Sequence, residues 1–180
     1  MRTNRTEAAG AEAAPAETLG RRLLRGTVGG IIAGLVFIGV TMWFANSMPE
    51  GNPGNPLRLI SSIVLGENAV MDGSADLTTG WIVHLVLSAL FGVIFALAAP
   101  LSRTNGTIAL AGGLYGLLLY LVNIVLIPEL WLQQFQAVND PFELAIHLVF
   151  GHLLAVFFYS SGTRRLEPFV AIGSSRASRT

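Results

Sequence analysis

The sequence predicts an all-α membrane protein with four transmembrane helices. Three observations carry that expectation. The chain of 180 residues is 52% hydrophobic and only 12% charged, against about 25% charged in an ordinary soluble domain. Four runs are free of charge: Gly26 to Pro49, Leu77 to Ser102, Thr104 to Pro128 and Leu144 to Thr163. Each reaches the ~20 apolar residues that a helix needs to cross a bilayer. Lipid offers no partner for backbone amides, so runs of this kind must pair their own hydrogen bonds as helices. The third observation is how the charges are shared between the loops.

All 11 basic residues are Arg. Arg2, Arg5, Arg21, Arg22 and Arg25 precede the first run, Arg103 lies between the second and third, and Arg164, Arg165, Arg176 and Arg179 follow the fourth. Only Arg58 falls in the other loops, which carry Glu50, Glu67, Asp72, Asp76, Glu129, Asp140 and Glu143. Ten arginines against one predict that both termini and the Arg103 loop are cytoplasmic. The arginines read as topology signals that also attract anionic lipid. A role in binding nucleic acid is not expected of them.

The expected transmembrane domain covers 21–165, with helices at 24–47, 79–100, 106–128 and 142–162. The first run is too long for a cleaved signal peptide and reads as a retained anchor. Residues 1–20 and 166–180 read as cytoplasmic tails. The stretches "TEAAGAEAAPAET" and "GSSRASRT" have compositions that cannot bury a core. Cys is absent, which excludes disulfides, thiolate metal sites and c-type haem attachment. The absence of Lys fits a GC-rich bacterial genome, so the expected location is the bacterial inner membrane.

Between helices one and two, "GNPGNPLRLISSIVLGENAV" predicts an amphipathic helix over 56–66, lying in the outer interface. Asn55 is the expected cap with Pro56 at the first position. Leu57, Ile60 and Val64 recur at helical spacing beside Ile63, and Arg58, Ser61 and Ser62 take other faces. "IPELWLQQF" reads as a shorter counterpart, with Trp131 as an interface anchor.

An internal repeat is visible. An offset of 63 residues sets His84 on His147, Ser88 on Gly151 and Gly92 on Ala155. An offset of 82 sets Gly30 on Gly112, Gly34 on Gly116 and Thr41 on Asn123. Two helices per unit would make a parallel 2+2 repeat. These small residues are the expected packing faces.

The candidate functional residues are the intramembrane polar groups. His84, His147, Thr41 and Asn123 fall at a similar level in the outer half and form a candidate polar cluster or ligand site. Several readings compete. The histidines could bond Thr41, Asn123 and backbone carbonyls, fixing the register of the helices. They could be the two axial ligands of a b-type haem. They could line a path for protons or a small solute, or hold a metal ion. His152 has no repeat partner and stands five residues beyond His147, pointing elsewhere. It is a secondary candidate, with Tyr115 or Tyr120 as an expected partner. No motif of a metalloprotease, phosphate loop or nucleophile elbow occurs. The charge-free runs also imply no acid inside a span.

The stretch "HLVLSALFGVIFA", the Pro-bearing turn at Pro128 and "FGHLL" followed by Arg164 and Arg165 resemble the YagU-like group of small bacterial inner-membrane proteins. The similar part runs from Trp81 to Arg165. The resemblance implies a multi-helix inner-membrane protein with a role linked to acid tolerance. It carries no catalytic residues, and only His152 lies on a motif of the group. The function expected from the whole sequence is a non-enzymatic structural or accessory part of a membrane complex or of envelope homeostasis. The alternatives are a small-solute or proton conduit and a haem-bearing redox subunit. The expected partners are the bilayer and a larger membrane complex or further copies of the chain.

Overall fold

A computed structural model describes residues 17–102 and 104–159. Among them the regular structure is entirely helical. Helix α1 (Leu19–Ser47) opens behind Thr18, whose Oγ1 accepts from the Arg21 N–H at 3.4 Å. It thus begins five residues before the expected 24 and takes in Leu19 and Gly20 of the expected tail. A capping threonine and three helix-favouring arginines extend it outside the apolar run. Arg25 then lies 5.9 Å from the Phe158 ring and pairs with Glu17 at 2.9 Å. Arg2, Arg5, Arg103, Arg164, Arg165, Arg176 and Arg179 lie outside the described residues.

Helix α2 (Asn55–Leu65) follows a turn in which Asn52 Oδ1 accepts from the Gly54 N–H at 2.8 Å. Gly54 occupies the cap position, not Asn55, which is already helical. The buried stripe also differs from the expected one. Leu57, Ser61 and Ser62 point inward, and Val64 is exposed. The cause is a close backbone approach, because a side chain at Gly80 would strike the Leu57 carbonyl. Small serines fit that seam, and their hydroxyls donate to Arg58 and Leu59 carbonyls at 2.7 and 2.6 Å.

After a short α3 (Ala69–Asp72), Asp76 caps α4 (Leu77–Ala98) by accepting from the Thr79 N–H at 2.8 Å. A 3-10 turn continues it over Ala99–Leu101. Helix α5 (Asn105–Tyr120) begins with a reciprocal capping box between Thr104 and Thr107. It runs into a π-helical segment, Leu121–Leu126, and then α6 (Ile127–Leu130). Periodicity gave no sign of the π segment. Pro128 accounts for it: proline offers no N–H to the carbonyl four residues back and clashes with it, so the ladder widens just before it. The Ile127 N–H accordingly reaches the Val122 carbonyl. A 3-10 turn at Gln133–Ala137 leads to α7 (Asp140–Val156), capped by Asn139.

Three helical stretches are long and apolar enough to cross a membrane: Leu19–Ser47, Leu77–Leu101 and Asn105–Leu130, with 29, 25 and 26 residues. The 17 residues of α7 rise about 26 Å, against a hydrocarbon core of about 30 Å. The last part of the expected helix 142–162 lies outside the described residues.

The long helices pack in the order α4, α1, α7, α5, and α4 and α5 meet only marginally. Glycine makes the two tightest seams. On α1, a Cβ at Gly30 would strike the Ser88 carbonyl, and one at Gly34 would sit 2.6 Å from Ser88 Cβ. On α5, a Cβ at Gly112 would sit 2.6 Å from Ala155 Cβ, and one at Gly116 would strike the His147 carbonyl. Gly92 and Gly151 answer from α4 and α7, where added Cβ atoms would lie 2.9 Å from Gly30 Cα and 3.0 Å from Gly116 Cα. Such spacing lets backbones approach and gain dispersion energy where lipid supplies no hydrophobic drive. Toward the arginine-bearing end of α1 the interior is wholly apolar, with Phe95, Ile108, Leu154, Ala155 and Phe158 buried together.

Candidate functional site

The half of the bundle nearest α2 is not filled. It encloses a chamber of about 240 Å³, and His84, His147, Thr41 and Asn123 all line it. The chamber therefore brings together the four residues that the sequence placed at one level. Phe37 of α1 lies beside both imidazoles, with ring centroids 5.9 Å from His84 and 5.0 Å from His147. Leu87, Phe91, Leu119 and Phe150 supply most of the wall, and Leu59, Ile60 and Ile63 of α2 form part of its roof. On the other side Leu132, Phe135 and Val138 complete the roof. The two parts are joined where Gln134 Nε2 donates to Ser62 Oγ at 2.9 Å.

Four of the polar groups have a defined hydrogen bond. His84 donates from Nε2 to the Gly34 carbonyl at 2.8 Å, tying α4 to α1. His147 donates from Nδ1 to the Glu143 carbonyl one turn earlier, at 2.7 Å. Ser88 and Thr41 donate back to the His84 and Phe37 carbonyls at 2.7 and 2.9 Å. The histidines thus bond backbone carbonyls, whereas Thr41 satisfies itself within its own helix. His84 and His147 are 8% and 6% exposed, and both line the chamber.

Glu143 was grouped with the outer-loop acids, although the expected helix 142–162 also contains it; it stands in the first turn of α7 and lines the chamber. One carboxylate oxygen lies 3.7 Å from His147 Nδ1. The signal was present: Glu143 and His147 are four residues apart, hence on one helix face. Glu143 also lines a second, larger cavity of about 790 Å³, nearer the loops. Thr41, Pro56, Leu59, Val138 and Glu143 belong to both, so the two spaces adjoin at that rim.

His152 takes no part. It is exposed on α7, donates from Nδ1 to the Leu148 carbonyl at 2.8 Å, and covers Gly113 of α5. Its expected partner Tyr115 donates instead to the Phe91 carbonyl at 2.8 Å. Tyr120 lies beside His147, at 6.1 Å between rings. The five-residue spacing explains the difference, since it turns His152 away from the chamber.

The arrangement does not fit a bis-histidine haem. Phe37 lies against both imidazoles, with ring centroids at 5.9 and 5.0 Å, where a porphyrin between them would have to stand. The chamber's 240 Å³ lies just under the ~300–1,000 Å³ of a typical small-molecule pocket and suits only a small guest. Among the described residues no three His, Cys, Asp or Glu side chains gather as a metal-binding group. What remains is an apolar space with a few convergent polar groups, the usual form of a small-ligand site. No protein-family model, curated protein or solved structure matches this chain.

Proposed function

We propose that this chain is a non-enzymatic, four-span protein of the bacterial inner membrane that holds a small membrane-borne molecule. Two helical hairpins, α1 with α4 and α5 with α7, form a parallel repeat around the chamber. Both termini face the cytoplasm, and α2 lies in the outer interface. The observation that carries the binding reading is the chamber itself, an apolar space lined by His84, Glu143, His147, Asn123 and Thr41 from four different elements.

The seams support the repeat. Gly30 meets Ser88 and Gly92 as Gly112 meets Gly151 and Ala155. Gly34 meets His84 and Ser88, and Gly116 meets His147, as the offsets of 63 and 82 residues require. The ten-to-one arginine distribution supports the orientation.

The sealed half of the bundle favours holding over conduction. Below the chamber Phe95 packs tilted against Tyr115 and T-shaped against Phe158, at 5.4 Å between centroids for both pairs. A conduit would have to open that packing, whereas an accessory subunit that carries a ligand would not. The test is native mass spectrometry of the chain extracted in mild detergent. A retained small molecule in the wild type, lost in Leu87→Trp, supports the reading. An empty wild type together with solute flux in reconstituted vesicles would replace it with the conduit.

A further inference from the structure

We propose that the chamber selects an amphiphile with a protonated amine head, taken from the bilayer through the gap between α4 and α5. The inference rests on the chamber being a binding site and names its ligand class. Its basis is the direction of the hydrogen bonds already made. His84 uses Nε2–H on Gly34, His147 uses Nδ1–H on Glu143, and the Ser88 and Thr41 hydroxyls donate to carbonyls of their own helices. In those tautomers the remaining imidazole nitrogens carry only lone pairs. Thr41, Ser88 and Glu143 also line the chamber, and an ionised Glu143 carboxylate offers acceptors only. Asn123 alone brings a donor.

A site built from acceptors recognises donors. An ammonium group has three donors and no acceptor, and it complements the carboxylate. Among the described residues no Lys or Arg pairs with Glu143; its one near partner is His147 at 3.7 Å. The Phe37 face beside both histidines offers further attraction for a cation. A hydroxyl or carbonyl head would leave most of these acceptors unused, and a carboxylate head would be repelled.

The route follows from the packing. Helices α4 and α5 meet only marginally, yet Leu87 and Phe91 from one, Leu119 from the other and Asn123 from the π segment that follows it line the chamber. Below it the gap is closed by Tyr115 on the Phe91 carbonyl. At chamber depth, then, α4 and α5 line the space with few contacts between them. The apolar body of a guest matches that wall.

Titration of the full chain with decylammonium, decanol, decanoate and ethylammonium, followed by native mass spectrometry, tests the proposal. Decylammonium should bind roughly tenfold or more tighter than decanol, the scale of one charge-assisted hydrogen bond. Glu143→Gln should erase that preference, and Thr41→Val should weaken decylammonium in the same sense. Equal binding of decanol and decylammonium to the wild type would overturn the ammonium head and leave the chamber reading standing. Ethylammonium binding as tightly as decylammonium would overturn the bilayer source. If none of the four binds, the chamber reading fails and this inference with it.

Discussion

His84 of α4 donates its Nε2 proton to the carbonyl of Gly34 on α1, at 2.8 Å and across 50 residues of sequence. The bond is possible because Gly34 has no side chain: a Cβ there would sit 3.4 Å from that nitrogen and collide with Ser88. Glycine thus admits the imidazole, and the imidazole fixes how α4 sits on α1. His84→Ala should therefore destabilise the protein by about 0.6–1.7 kcal/mol, the measured span for such bonds in membranes. Reversible unfolding in mixed micelles reads this directly. His152→Ala, which removes only a bond within its own helix, should cost less.

The glycine seams predict matched effects in the two helix pairs. Gly30→Leu and Gly112→Leu each drive a large side chain into a facing backbone or Cβ. Overpacking of this kind typically costs about 1–3 kcal/mol. The two substitutions should lower the unfolding midpoint by similar amounts. Gly39→Leu, where a Cβ meets nothing within 4 Å, should leave it almost unchanged.

Tyr115 spans the narrow contact between α4 and α5 through its hydroxyl on the Phe91 carbonyl. Tyr115→Phe keeps the ring against Phe95 but removes the tie. The expected loss is about 0.6 kcal/mol, accompanied by faster hydrogen exchange in the turn around Phe95. Unchanged exchange there would mean that the hydroxyl does not hold the gap.

The cap of α4 predicts a pH response. Hydrogen bonds from Thr79 hold the Asp76 carboxyl below its ordinary value of 3.8. A depressed folded value stabilises the fold above the unfolded one, and the contribution disappears as pH falls through the folded value. Stability should therefore drop in the acid range below about 4, and Asp76→Asn should flatten that part of the curve. Thermal unfolding at pH 5 and pH 3 measures both.

Much of this was legible from residue order. Charge-free runs located the apolar helices, since burial of charge in lipid is so costly. Helical spacing exposed the glycine faces and placed His84, His147, Thr41 and Asn123 at one depth. Other features were hidden for physical reasons. Glu143 looked like a loop acid because hydropathy measures composition along the chain and not which face a residue takes. Ser61 and Ser62 looked outward because polarity was read without the backbone approach at Gly80 that rewards small residues. The π segment ahead of Pro128 leaves no mark in apolar periodicity, although it carries Asn123 to the chamber. Phe37, which touches both histidines, was one apolar residue among many.

The central claim is that the chamber presents acceptors because His84 and His147 spend opposite nitrogens on backbone carbonyls. Two-bond nitrogen–proton NMR of ¹⁵N-histidine-labelled protein in nanodiscs tests it most directly, with His84→Gln and His147→Gln assigning the signals. The account predicts that His84 carries its proton on Nε2 and His147 on Nδ1. A proton on Nδ1 of His84, or on Nε2 of His147, would turn a donor into the chamber and contradict it.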